Sequence, residues 1–151
     1  MLQPFDNSVR DIHGCATLLP AGVRFLPLKT FPDDRGTFTE AFRDDWQIEP
    51  RPVQWNVVNS VANVLRGVHV HMKHVDVLTV VAGELILGLC DLRRASPTRG
   101  QSVLLRVQSN DMKLAVIPVG VAHGFYFPVP ACHLYGVSTT FDGSEIRLPL
   151  E

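Results

Sequence analysis

The chain has 151 residues, 46% apolar and 19% charged, and a formal net charge of −1 at pH 7. That length accommodates a single domain, residues 1–151, with a proper core, and the near-zero charge excludes a surface built for nucleic acid or anionic membrane, each of which demands a basic excess. Cys15, Cys90 and Cys132 are odd in number and contain no Cys-x-x-Cys, which excludes a zinc ribbon and fits reduced, buried thiols in a cytoplasmic protein.

Residues 1–22 lack periodicity and read as an N-terminal arm or edge element. They contain no basic start followed by an apolar run, so no secretory signal is expected. VRFLPL (Val23 to Leu28) is the first strand, FPDDRG (Phe31 to Gly36) a turn, and TFTEAF (Thr37 to Phe42) a strand with Phe38 and Glu40 on one face. Pro50 and Pro52 precede the strand VQWNVVNS (Val53 to Ser60). The stretch Val64 to Gly83 follows: a strand with His69 and His71 on one face, then a hairpin return through a second apolar run, Val75 to Val81, that brings Asp76 alongside the histidines. The Ala82-Gly83 turn leads into ELILGLCD (Glu84 to Asp91). Asp76, Gly83 and Glu84 interrupt the longest apolar run, Val75 to Cys90, which is too short to cross a bilayer.

LRRASPTRG (Leu92 to Gly100) is a polar loop, and the segments SVLLRV, KLAVIPV, GFYFPV and CHLYGVSTTF are further strands. No segment longer than ten residues carries a helical stripe with caps. Many short strands separated by Gly/Pro turns predict an all-β fold, and a jelly-roll sandwich or barrel with the histidines at its open end fits best.

Two chemistries suit the histidines. His69-x-His71, Asp76 and Gly83, followed by Pro118-x-Gly120-x-x-His123, resemble in spacing the two motifs of the cupin superfamily, with Asp for the usual Glu. That resemblance implies a divalent transition metal (iron, manganese, zinc or nickel) on His69, His71, Asp76 and His123, with sites left open for an isomerase or oxygenase reaction. His74 is a competing donor close by.

The second chemistry rests on a longer match. The strings DDRG-x-F, LRG-x-H, DLR-x-x-SPT-x-G and IP-x-G-x-AHGF, in that order from about Pro27 to Tyr135, resemble the dTDP-4-dehydrorhamnose 3,5-epimerase family of sugar-nucleotide cupins. The resemblance implies epimerisation of a nucleotide-linked 4-keto-6-deoxyhexose by proton abstraction next to the ketone, with no cofactor. It makes His69 the base and Tyr135 the acid, and places His123 against the substrate. Arg66, Gln54 and Asn56 match residues around the nucleotide and its phosphates. Arg35, Phe38 and Glu40 match residues that reach the nucleotide of a neighbouring subunit, so a homodimer is implied.

The chemistry calls for such groups. Histidine titrates near the working pH, an epimerisation needs base and acid on opposite faces of the carbon, and arginine pairs with phosphate oxygens through its planar fork. The SPTRG loop and the arginines fit phosphate handling.

Departures from the family are also visible. Asp76 stands where the family has a lysine beside the ketone, a change coherent with a cation taking over enolate stabilisation. The family's base is oriented by an aspartate in a C-terminal segment that has no obvious counterpart here; Asp142 or Glu145 could substitute, although their spacing does not mark them for it. A 3,4-ketoisomerase of 4-keto nucleotide sugars, using His69 and His71, and a binding-only descendant are the remaining readings.

Overall fold

The computed structural model of the chain describes residues 9–142. Eleven strands lie in this span: β1 (Arg24–Pro27), β2 (Thr30–Asp33), β3 (Gly36–Thr39), β4 (Gln54–Ser60), β5 (Val64–His69), β6 (Asp76–Ala82), β7 (Glu84–Asp91), β8 (Ser102–Gln108), β9 (Lys113–Ile117), β10 (Val121–Phe127) and β11 (Ala131–Val137). Two three-residue 3₁₀ turns, Asp44–Trp46 and Ser109–Asp111, supply the helical content of the described residues. Strands β1-β9-β6-β11-β4 form one sheet, β5-β10-β7-β8 a second, and β2-β3 a separate hairpin. Every pairing is antiparallel. The two larger sheets pack face to face as the all-β jelly roll that the strand pattern predicts.

The apolar pattern explains which face each sheet buries. β7 and β8 alternate strictly, with Leu85, Leu87, Leu89, Val103, Leu105 and Val107 buried. A period of two with one wet face is what a sheet covered on one side requires. β6 is instead buried through its first five residues. Leu78 and Val80 point into the core between the sheets. Val77 belongs to a second cluster with Leu26, Leu114, Val116 and Ile48, against which Phe42, Trp46 and Trp55 pack. The segment linking β3 to β4 thus covers the outer face of the five-stranded sheet. That cover accounts for the apolar run from Val77 to Val81, which only Thr79 interrupts.

Three local expectations are corrected. FPDDRG is not wholly a turn: Thr30–Asp33 is a strand, paired with Gly36–Thr39, and only Asp34 and Arg35 make the bend. Pro32 is tolerated because the hairpin is an isolated two-stranded ribbon whose residues are mostly exposed. The strand expected over Thr37 to Phe42 ends at Thr39, because Phe42 turns back to pack on Trp55 and Trp46. Nor do β5 and β6 form a hairpin. They belong to different sheets, and residues 70–75 carry the chain from one wall of the sandwich to the other.

The described part of the N-terminal arm runs along the edge strand of the four-stranded sheet. Asp11 bridges Leu105, and the Ile12 N–H donates to the Leu104 carbonyl at 3.0 Å.

Candidate active site

A cavity of about 700 Å³ opens between the two sheets, within the range of small-molecule sites. The four-stranded sheet contributes Arg66 and His69 from β5 and His123 and Phe125 from β10. The five-stranded sheet contributes Gln54, Asn56, Leu78, His133 and Tyr135, and the connecting segment adds His71 and His74.

β5 owes its arrangement to a bulge. His69 faces His123 and Arg66 faces Phe125, so three steps on β5 oppose two on β10. The extra residue resets the alternation, and Arg66 and His69 both line the cavity although they stand three positions apart and so have opposite parity. Gly67 makes this possible, with φ of +117° and an added Cβ that would sit 2.9 Å from the Gly124 Cα. The shared strand face expected for His69 and His71 is corrected too. The strand stops at His69, and His71 reaches the cavity from the connecting segment, its ring 5.9 Å from that of His69.

Asp76, the first residue of β6, is buried at the cavity floor. Its Oδ2 lies 3.8 Å from both His71 Nε2 and His123 Nε2, and its Oδ1 lies 3.6 Å from His74 Nε2. His71 and His74 stack with centroids 4.1 Å apart, whereas the His69 ring stands perpendicular to that of His123 at 6.0 Å. Burial is the main reason that the His123 pKa falls to about 4, with Asp76 pulling the other way. The ring is therefore neutral near pH 7. Its Nδ1 is 3.2 Å from the Val121 carbonyl. A carbonyl only accepts, so Nδ1 carries the proton and Nε2 presents a lone pair towards Asp76.

Tyr135 sits on the opposite wall, beside Asn56 and Leu78 in the sheet register. Burial, and then the charge of Asp76, raise its pKa, which keeps the phenol protonated. Gln54 Nε2 donates to Asn56 Oδ1 at 3.1 Å, and Gln54 Oε1 accepts from the Phe141 N–H at 2.9 Å. Arg66 is anchored through Nε on Ser60 Oγ at 2.9 Å.

His133 is a cavity residue that sequence reasoning passed over. It is buried, stacks on Phe127 at 5.5 Å, and its Nδ1 makes no hydrogen bond among the described residues. Burial, with the Arg66 charge adding to it, drops its pKa to about 4. Its place two residues before Tyr135 on a strand was the signal available, since equal parity puts both on the cavity face.

Other sequence candidates lie elsewhere. Arg35, Phe38 and Glu40 are on or just beyond the β2-β3 hairpin and do not line the cavity. Arg35 pairs with its neighbour Asp33 at 2.7 Å, and Glu40 with Arg43 at 3.3 Å. The SPTRG loop, expected to handle phosphate, is engaged internally. Arg93, Ser96 and Thr98 all donate to the fully buried Asp91 carboxylate, at 2.5–2.8 Å. Those bonds, led by the one from Arg93, hold Asp91 far below the usual carboxylate range. Of the two carboxylates suggested as base-orienting groups, Asp142 follows the cavity residue Phe141, and Glu145 lies outside the described residues.

Comparison with known proteins agrees with the fold. A family model described as dTDP-4-dehydrorhamnose 3,5-epimerase matches residues 18–147. The enzyme of that name from Neisseria gonorrhoeae is 38% identical over 115 residues, which cover 72% of this chain and 35% of the relative. The chain therefore spans about a third of that relative's length. The crystal structure of dTDP-6-deoxy-D-glucose-3,5-epimerase from Legionella pneumophila, in complex with dTDP-4-keto-L-rhamnose, superposes with a TM-score of 0.75 at 30% identity, covering 82% of this chain and 70% of that one. The dTDP-4-dehydrorhamnose 3,5-epimerase of Sulfolobus tokodaii gives a TM-score of 0.80 at 25% identity, covering 100% and 88%. With the jelly roll shared and the family match extending over most of the sequence, the chain belongs to the dTDP-4-dehydrorhamnose 3,5-epimerase family.

Proposed function

We propose that the protein epimerises a nucleotide-linked 4-keto-6-deoxyhexose at carbon 3, carbon 5 or both. The observation that carries this reading is the placement of His69 and Tyr135 on opposite walls of one cavity. His69 removes the proton next to the ketone, leaving an enolate. Tyr135 returns a proton to the other face of the same carbon, which inverts it. The raised pKa of Tyr135 suits an acid that must hold its proton until the enolate forms. His123 and Arg66 hold the substrate, and the Arg66 guanidinium, tethered at Nε to Ser60, pairs with the diphosphate. The ligand of the Legionella structure and the family's name support thymidine as the base.

The protein works as a homodimer. Phe31 and Phe38, with ring centroids 6.3 Å apart, are exposed on the β2-β3 hairpin, which carries Arg35, Phe38 and Glu40 to the nucleotide of a second copy. The outer face of the four-stranded sheet, with Leu65, Leu104 and Tyr126 exposed, supplies the apolar contact between copies. Three free cysteines fit the cytoplasm as the working compartment.

The test is incubation with dTDP-4-keto-6-deoxyglucose in deuterated water. Deuterium at carbon 3 or 5, read by mass spectrometry and NMR, is expected, with the rate falling roughly 10²–10⁴-fold in His69→Asn. Absence of exchange, or undiminished exchange in that variant, overturns the assignment.

A further inference from the structure

Two buried polar atoms in the wall of the cavity have no hydrogen-bond partner among the described residues: Nδ1 of His133 and the amide nitrogen of Asn56. Both adjoin Tyr135. Asn56 opposes it across the β4-β11 ladder, and His133 precedes it by two residues on β11. Buried polar groups in folded chains are nearly always hydrogen-bonded, and each exception calls for an explanation.

His133 occupies an aromatic slot. Its ring stacks on Phe127 with centroids 5.5 Å apart, and lies 5.6 Å from the ring of Phe125 and 6.1 Å from that of Tyr135. A phenyl ring would fill this slot without sealing in a nitrogen, so packing does not account for the imidazole. The residue is 2% exposed and lines the cavity, so the open part of the ring faces the space that substrate enters.

The chemistry of the ring narrows its use. Near pH 7 it is neutral and carries one proton for two nitrogens. Nδ1 is enclosed with no acceptor for that proton. An enclosed N–H without an acceptor is a rarer compromise than an enclosed acceptor without a donor. The proton therefore belongs on Nε2, which makes His133 a donor. Asn56 has the same bias: its Oδ1 is taken by Gln54, and its amide nitrogen, also a donor, is left unpaired. Two donors without acceptors on one wall suit a ligand rich in oxygen.

Location selects among the oxygens. On the epimerase reading, on which this inference rests, Arg66 takes the diphosphate and Tyr135 reaches carbon 3 or 5 of the hexose. His133 is close to both, since it feels the Arg66 charge and its ring adjoins that of Tyr135. Between those two anchors the hexose offers the hydroxyl on carbon 2. We propose that His133 is a specificity-determining residue whose Nε2–H donates to that hydroxyl oxygen. A site built to hydrogen-bond a substrate hydroxyl rejects the analogue lacking it, because the protein group is then left buried and unpaired.

The test is calorimetric binding of three ligands that lack the ketone, dTDP-glucose, dTDP-2-deoxyglucose and dTDP, with circular dichroism to check each variant's fold. Wild-type protein should bind dTDP-glucose at least about tenfold more tightly than the 2-deoxy compound. In His133→Phe the two sugars should bind within about twofold of each other, with the affinity for dTDP as in wild type. His133→Gln, whose amide places an N–H near the Nε2 position, should restore part of the preference. The proposal is overturned if wild-type protein shows no preference for dTDP-glucose over the 2-deoxy compound, or if folded His133→Phe keeps that preference. It is also overturned if His133→Phe loses affinity for dTDP in equal measure, which would put the ring on the nucleotide. Deuterium exchange into the 4-keto sugar is a separate readout, so failure of the epimerase reading is distinguishable from failure of this contact.

Discussion

At the scale of single residues, burial decides which groups carry protons. His133 illustrates this. Its pKa of about 4 in the folded chain lies below the ordinary 6.5, so between these values the unfolded chain takes up a proton that the folded chain refuses. Stability attributable to this residue is complete above pH 6.5, falls through that window, and levels off below about 4. The shift corresponds to about 3 kcal/mol. His133→Phe keeps the ring stacked on Phe127 and gives up no hydrogen bond at Nδ1. Urea unfolding at pH 7 and pH 4.5 should show wild type losing about 2 kcal/mol more than this variant on acidification. Tyr135 is argued at the same scale. On the proposed mechanism, replacing it with Phe removes the acid and leaves the base. Turnover should fall roughly 10²–10⁴-fold, while solvent deuterium still enters the substrate without inversion, as NMR of recovered substrate would show.

At the scale of elements, connections hold the cavity open. Gly83 turns β6 into β7 with φ of +74°, and a Cβ there would lie 2.3 Å from the Pro130 carbonyl oxygen. Gly83→Ala therefore meets both an unfavourable backbone region and a hard contact. A loss of more than about 1 kcal/mol is expected, seen as a melting temperature several degrees lower. The loop after β7 depends on Asp91, whose carboxylate takes bonds from Arg93, Ser96 and Thr98. Arg93 also donates to the Ala21 carbonyl, which ties the end of the arm to this loop. Asp91→Ala leaves the guanidinium without its partner and should cost about 3 kcal/mol or more in chemical denaturation. The turn at Gly83 was legible because an apolar run broken by Ala-Gly has few alternatives. The internal use of the SPTRG loop was not, because nothing in the order of residues shows that Asp91 is the acceptor.

At the scale of the whole molecule, the two sheets differ in what covers them. The five-stranded sheet is buried on both faces across β1, β9 and the start of β6, where Phe42, Trp46 and Ile48 from the segment before β4 lie over its outer side. The four-stranded sheet has no such cover among the described residues and exposes Leu65, Leu104 and Tyr126. If the proposed dimer forms through this face, Leu104→Glu should shift the protein from dimer to monomer in analytical ultracentrifugation with the circular dichroism spectrum unchanged. If the partner's hairpin completes the substrate site, the monomer should also bind dTDP more weakly.

The sequence by itself determined the all-β architecture, most strand positions and the family, because alternation of apolar residues and the spacing of short motifs are local properties. It also delivered His69, His123 and Tyr135 to the cavity, since each sits within a matched string. Only the tertiary structure decided that β5 and β6 lie in opposite sheets, that a bulge at Gly67 brings Arg66 and His69 to the same cavity, and that His71, His74 and His123 gather around Asp76. Those outcomes depend on which strands become neighbours and on one inserted residue. Long-range packing sets both, and a linear pattern does not record them.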